Sequence, residues 1–389
     1  MLGQQLLAGA CVFAAIGVHP FTTYPLSLAL LDRFRPRPAA TARRGCPAGS
    51  APQTPRVALC VCAYNEERVI RAKADNMVSL RKAAPGLELL IYVDASSDRT
   101  AEILRDYENE ITVVASPTRH GKTYGMNTLI QQTGADILVF SDANVMFAPD
   151  AIPRLLQRFD DPEVGCVCGH LVYTRANDSA TAVTGSLYWR LEEAIKELES
   201  RSGSTMGADG SIFAIRRALH RPPPPDIIDD MYVSLSILCG GHRVVRAKDA
   251  LAYEEAATHA GDEFRRKIRI ACQAFNVHRL LRADLAKLPL FDRYKYVSHK
   301  LLRWFAAYLL AMAVLCFAAG LAVLGAWVLL LLCVLAGAAL LIAARLRPAG
   351  PPGKLVGIAA ALVATGLGVA QSMRGERFQT WTPPASARG

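Results

Sequence analysis

With 389 residues, 52% of them hydrophobic and 20% charged, the chain is too long for one small domain and too apolar for a wholly soluble protein. The formal net charge of +10 invites a nucleic-acid reading, but much of the excess flanks apolar segments, where anionic headgroups and a diphosphate account for it and no nucleic acid is needed.

The first apolar stretch runs from Leu6 to Leu31, interrupted by His19, Pro20, Thr22, Thr23 and Pro25. No Lys or Arg occurs before Arg33, so an anchor helix fits better than a cleaved signal peptide. Arg33, Arg35, Arg37, Arg43, Arg44 and Arg56 follow, and an excess of arginine beside a span marks the cytoplasmic side. Residues 36–55, rich in Pro, Ala, Gly, Arg and Ser, read as a linker.

Beyond the linker the pattern alternates. Strand Val57 to Ala63 precedes helix Glu67 to Ala83, strand Leu87 to Val93 precedes helix Arg99 to Tyr107, and strand Ile111 to Ala115 precedes helix Lys122 to Gln132. Strand Ile137 to Ser141, helix Ala148 to Arg158 and strand Gly165 to Tyr173 follow. This rhythm predicts an α/β domain with a mostly parallel, doubly wound sheet. Cys60 and Cys62, and again Cys166 and Cys168, lie two apart inside apolar strand runs, which suits packing in a reduced core better than a zinc ribbon.

In an open sheet of this kind ligands collect where strands give way to loops. At the first such place Tyr64 can stack on a base and Glu66 can accept from a ribose hydroxyl; the same residues also suit a capped turn. Asp94 closes the second strand, where it can accept from a base N–H, and Asp98 reads as a helix cap. Gly121 and Lys122 open a helix, whose free amides and adjacent ammonium favour a phosphate. Asp142 and Asn144, alternate residues after the run ILVF, offer two oxygen ligands on one side of a strand end, the donor type chosen by Mg²⁺ or Mn²⁺. Further on lie a glycine-rich loop, TMGADGSIFAIRR over 205–217, and an Asp-rich helix start with Asp229 and Asp230.

Residues 304–344 carry no charge and are about twice the roughly 20 residues that one spanning helix needs, so they predict a hairpin turning near Gly320 to Gly325. His299, Lys300, Arg303 and Trp304 just before it read as interfacial anchors. A third apolar segment covers 355–371, with Arg345, Arg347 and Lys354 before it and Arg374, Arg377 and Arg388 after it. Both basic groups ask for the cytoplasm, which a re-entrant or interfacial helix reconciles.

Taken together, the order of motifs over about 55–305 resembles the family-2 glycosyltransferases, and the apolar helices around it resemble the membrane-bound polysaccharide-synthase branch. The resemblance implies a GT-A catalytic domain flanked by transmembrane helices, in a cell inner membrane with the catalytic domain cytoplasmic. It implies a nucleotide sugar donor, a Mg²⁺ or Mn²⁺ cofactor and a glycan or lipid-linked acceptor. It assigns the nucleoside to Ala63, Tyr64, Glu66 and Asp94, the diphosphate to Gly121 and Lys122, and the metal to Asp142 and Asn144, with Asn where the family has a second Asp. It assigns Asp209 to the acceptor loop and Asp230 to the general base. The family's Gln-x-x-Arg-Trp helix corresponds to Arg266 through Ile270, so Arg266 and Arg269 face the diphosphate while the aromatic is absent. That absence keeps a single-addition transferase open beside a polymerising one, and a nonenzymatic scaffold with a degenerate nucleotide site is the reading from another class. The organisation expected is an anchor over 1–35, the linker over 36–55, the catalytic domain over 56–290, an interfacial segment and hairpin over 291–345, and a last helix with tail over 346–389.

Overall fold

The computed structural model describes residues 1–34, 55–174, 180–255 and 260–380. Arg35, Arg388 and the linker, with Arg37, Arg43 and Arg44, lie outside the described residues, except for the linker's last position.

In chain order the elements are α1 (Leu2–Val18), α2 (Thr23–Phe34), β1 (Val57–Ala63), α3 (Ile70–Leu80), β2 (Glu88–Asp94), α4 (Thr100–Leu104), β3 (Thr112–Ser116), α5 (Lys122–Gln132) and β4 (Ile137–Asp142). Then come β5 (Met146–Phe147), α6 (Ala151–Leu156), β6 (Val164–Thr174), α7 (Ala180–Arg201), β7 (Ile212–Arg216), α8 (Asp229–Cys239), β8 (Arg243–Glu255) and α9 (Ala260–Leu285). The chain closes with α10 (Leu290–Tyr296), a π-helical turn over Val297–Leu301, α11 (Leu302–Val323), α12 (Trp327–Leu346) and α13 (Pro351–Met373).

One eight-stranded sheet has the order β3-β2-β1-β4-β7-β6-β8-β5. Strands β1 to β4 and the β6–β8 pair run parallel, while β7 and β5 pair antiparallel with their neighbours. Every residue of β1 is buried, as a parallel strand covered on both faces requires. Its alternate residues feed two cores: Val57, Leu59 and Val61 pack with Ile70 and Met77 of α3, whereas Ala58, Cys60 and Cys62 pack with Met126 and Leu129 of α5. Cys166 and Cys168 are likewise buried free thiols in the second core.

Two elements differ from the sequence reading. The helix expected from Glu67 begins at Ile70, because Glu66 to Val69 form a turn in which Val69 N–H donates to the Glu66 carbonyl. The helix expected from Ala148 begins at Ala151, since Met146 and Phe147 are drawn into pairing with Tyr253 and Ala252 on β8.

Four helical stretches are long and apolar enough to cross a membrane: Leu2–Phe21, Leu290–Val323, Trp327–Leu346 and Pro351–Met373. The first lies antiparallel along α11, with Gly3 against Leu324 and Gly17 against Leu310. Small residues let the two backbones approach where no hydrophobic drive separates helix from lipid. Helix α12 is exposed along nearly its whole length. The C-terminal half of α13 packs on α11, where Tyr308 hydroxyl donates to the Gly366 carbonyl at 2.7 Å, and then returns to the α/β domain, where Ser372 hydroxyl donates to Asn276 on α9 at 2.6 Å.

His299, Arg303 and Trp304, expected as interfacial anchors, are instead buried within the protein, with Lys300 partly buried beside them. His299 is fully buried between two carboxylates of α7, Glu199 at 2.8 Å from Nδ1 and Glu192 at 3.1 Å from Nε2. Arg303 pairs with Glu192, and Tyr24 of α2 donates to Glu199 at 2.5 Å. The apolar anchor, α7 and the first turn of α11 are thus locked by one buried ionic network, where a lone charge would be prohibitive.

Candidate functional site

The carboxyl ends of β1, β2 and β4 open on one edge of the sheet, and most of the sequence-predicted residues gather there. Ala63 ends β1 and is buried. Tyr64 follows, with the Arg119 guanidinium 3.5 Å above its ring. Asn65 takes a left-handed backbone (φ 54°), stabilised because its side-chain oxygen accepts from the Ser97 N–H at 2.8 Å. Glu66 is buried, and its N–H donates to Thr100 hydroxyl at 2.7 Å.

Asp94 is buried at the end of β2 and spends its two oxygens on the next loop, accepting from the N–H of His120 at 2.7 Å and of Gly121 at 2.8 Å. The loop that presents Lys122 is therefore built on Asp94. Gly121 has φ +90°, and a Cβ there would collide with the carbonyl of Gln379, so only glycine lets the C-terminal tail pass. That tail is held by α9 and the loop together: Asn276 donates to the Glu376 carbonyl at 3.0 Å, Gln273 to the Phe378 carbonyl at 2.8 Å, and Gln379 to the His120 carbonyl at 3.0 Å.

Lys122 is the hub. Its ammonium donates to Asp142 at 2.6 Å and lies 3.9 Å from Asp229. Burial opposes its charge, but Asp142, Asp229 and Asp230 outweigh that cost and hold the ammonium protonated well above the ordinary lysine range. Asp230 stands on the first turn of α8, with one carboxylate oxygen accepting from the Met231 N–H. Its other oxygen faces the glycine-rich loop, where a Cβ on Gly210 would lie 2.9 Å from it and 3.1 Å from the Lys122 nitrogen. Burial, then the neighbouring Asp229, pushes the Asp230 carboxyl up to about 7, against the pull of Lys122. Asp209 of the same loop is held by Lys196 of α7 at 2.5 Å, and the Ala208 N–H donates to Ser234 of α8 at 3.0 Å.

Asp142 and Asn144 flank the turn after β4, and the Asn144 amide donates to Glu254 of β8 at 3.0 Å. Burial, with Asp142 adding to it, raises the Glu254 carboxyl. Behind the turn, Lys73 of α3 is wholly buried and donates to Ser141 hydroxyl at 2.7 Å and the Val145 carbonyl at 2.5 Å, bracketing the pair. Among the described residues no three His, Cys, Asp or Glu side chains converge as a ready-made cage. The donors are nevertheless all oxygen: the Asp142 carboxylate, the Asn144 carbonyl and, within a hydrogen bond of it, the Glu254 carboxylate. That set fits a hard cation which keeps waters and substrate oxygens in its shell.

Arg266 and Arg269 of α9 complete the wall. Burial opposes the charge on Arg266, and Tyr173, Glu254, Glu263 and Asp142 together outweigh it. Arg269 is pushed down to about 10 by burial and by Arg266, and it donates to Gln273 at 3.3 Å. Arg119, Lys73, Lys196 and Glu254 were not singled out in the sequence; each acts through a partner distant along the chain, and only the basic RHGK run hinted at Arg119.

Residues 58–221 match the model of glycosyl transferase family 2. An N-acetylglucosaminyltransferase of Sinorhizobium fredii is 26% identical over 276 residues, covering 66% of this chain and 66% of that protein. A poly-beta-1,6-N-acetyl-D-glucosamine synthase of Staphylococcus epidermidis is 27% identical over 169 residues, covering 43% of this chain and 40% of its own length. The chain thus spans 66% or less of these two curated relatives. A mannosyltransferase of Pyrobaculum calidifontis, solved with GDP-Man and Mn²⁺, superposes with a TM-score of 0.73 at 22% identity, over 95% of this chain and 99% of that one. Strand order, edge geometry and superposition agree on a GT-A fold, and residues 58–221 are similar to glycosyl transferase family 2.

Proposed function

We propose that this chain is an inverting, membrane-embedded glycosyltransferase that moves a sugar from a nucleoside diphosphate sugar, a UDP-sugar, to a growing polysaccharide or lipid-linked acceptor. The observation that carries it is the convergence of Lys122, Asp142 and Asp230 beneath the glycine-rich loop that bears Asp209. Relatives named for N-acetylglucosamine transfer support an N-acetylhexosamine donor. The catalytic domain is taken as 56–290, entered from the cytoplasm, with 1–35 as anchor and 291–345 as hairpin.

Ala63, Tyr64, Glu66 and Asp94 line the nucleoside end, and the diphosphate lies against Gly121, Lys122, Arg266 and Arg269, whose charges offset its own. Asp142 and Asn144 would hold Mg²⁺ or Mn²⁺, which when bound would supply Lewis-acid stabilisation of charge on the diphosphate. Asp209, fixed by Lys196, orients the acceptor. Asp230 takes the proton from the acceptor hydroxyl as that oxygen bonds to the anomeric carbon; the bond from that carbon to the diphosphate oxygen breaks on the opposite face, and the nucleoside diphosphate leaves. A carboxyl raised toward 7 suits this base, which must hold a proton briefly.

Ile270, exposed where an aromatic would offer a sugar-stacking face, favours a second reading, addition of one sugar to a lipid acceptor. The deciding experiment is turnover of UDP-, GDP- and dTDP-sugars by the purified protein in lipid, with Mn²⁺ or with EDTA, followed by product sizing. Metal-dependent release of one nucleoside diphosphate, lost in Asp230→Asn, is the expected result. Turnover undiminished in Asp230→Asn, or none with any donor, would overturn the reading.

A further inference from the structure

Two adjoining clefts lie away from the donor edge, on the far part of α9. One, of ≈ 350 Å³, is lined by Pro224, Ile227, Arg279, Arg282 and Arg377 among others. Its neighbour, of ≈ 330 Å³, shares Arg279 and Arg282 and adds Phe275, His278 and Met373. Arg279 is ten residues beyond Arg269 on the same helix, about 15 Å along its axis. The clefts are therefore separate from the diphosphate wall.

Their charge is unbalanced. Arg377 pairs with Asp226 and Arg279 donates to the Ser372 carbonyl, while the Arg282 guanidinium has no ion pair or hydrogen bond among the described residues. Three guanidiniums thus face one carboxylate. The rim is apolar: Leu280 is 50% exposed and Met373, the last residue of α13, is 65% exposed.

Depth comes from a separate observation. Phe275 on the cleft wall packs edge-on against Trp304 at 5.5 Å and Phe305 at 5.8 Å, and His278 stacks on Tyr296 at 5.9 Å. Trp304 and Phe305 belong to the first turn of α11, where its uncharged run begins, so this wall of the cleft lies at the end of α11 that meets the α/β domain. A cationic, half-apolar cleft at that level matches a lipid phosphate with its acyl chain attached.

We propose that this double cleft binds an anionic phospholipid, its phosphate on Arg279 and Arg282 and its chain along Leu280 and Met373. The inference rests on the membrane-embedded reading above. The test is native mass spectrometry of the full chain in detergent, titrated with phosphatidylglycerol or phosphatidylcholine. The wild-type protein should prefer phosphatidylglycerol by on the order of tenfold. Arg279→Gln/Arg282→Gln should abolish that preference, whereas Lys82→Gln/Arg105→Gln, which removes equal charge elsewhere, should keep it. Equal binding of the two lipids, or a preference that survives in the cleft variant, would sink the lipid site alone. Displacement of the adduct by millimolar inorganic phosphate would show a free-anion site instead and overturn the lipid assignment. A wild-type protein that fails to float with vesicles would overturn the membrane reading and the lipid site together.

Discussion

Asp230 keeps its proton longer than an exposed aspartate because burial and Asp229 both disfavour a second negative charge, which Lys122 only partly offsets. The base is the ionised form, so kcat/KM is expected to climb as pH rises through about 7 and to level off above. Asp230→Asn should cost about 10²- to 10⁴-fold in nucleoside diphosphate release and erase that inflection. An inflection that survives the substitution would assign the base elsewhere. Lys73 tests the metal turn from behind. Replacing it with Met keeps the volume but removes both donors that bracket Asp142 and Asn144. Mn²⁺ affinity, read by electron paramagnetic resonance, should fall on the order of tenfold while thermal unfolding changes little. Unchanged affinity would reduce Lys73 to a packing residue. The sequence exposed Asp94 and Asp142 because each ends an apolar run, and Lys122 and Asp230 because each stands at a helix start. It could not expose Glu254, which meets Asn144 across 110 positions, or Lys73, whose partners are one hydroxyl on β4 and one carbonyl in the turn after it.

Among the elements, α5 shows how tightly a binding helix is set against the sheet. A Cβ on Gly125 would strike the Tyr92 ring and lie 2.8 Å from the Cys62 sulfur, both on strands that carry donor residues. Gly125→Ala is therefore expected to destabilise the fold by about 1–3 kcal/mol through overpacking, seen as a lower thermal midpoint in detergent. Helix α7 is fixed differently. His299→Leu would leave Glu192 and Glu199 facing apolar carbon, at a cost on the order of 3 kcal/mol, the usual penalty for stranding buried charge. A midpoint within a degree of wild type would show that Tyr24, Lys300 and Arg303 suffice. Periodicity foretold β1 to β4 and the bounds of α5 because local hydrophobic spacing decides them. It placed His299 at the surface because the carboxylates that draw it inward lie 100 or more residues away, on α7.

At the scale of the whole molecule, the tail is the informative feature. Gln379 touches His120 on the donor edge, so the last described residues lie on the same side of any bilayer as the catalytic domain. Between that domain and its last described residues stand three apolar helices, and a path that returns to the side it left must cross an even number of times. At least one of α11, α12 and α13 therefore does not cross. Helix α13 is the one whose end is hydrogen-bonded to α9, so the expected arrangement has α11 and α12 crossing as a pair while α13 lies along the inner leaflet. Cysteines placed singly at Gly325 and Gly350 report this directly: a membrane-impermeant thiol reagent applied to intact cells should reach the first and miss the second. If both are labelled, α12 is the helix that stays on one side, and the oddness of three is resolved at the outer leaflet instead of the inner.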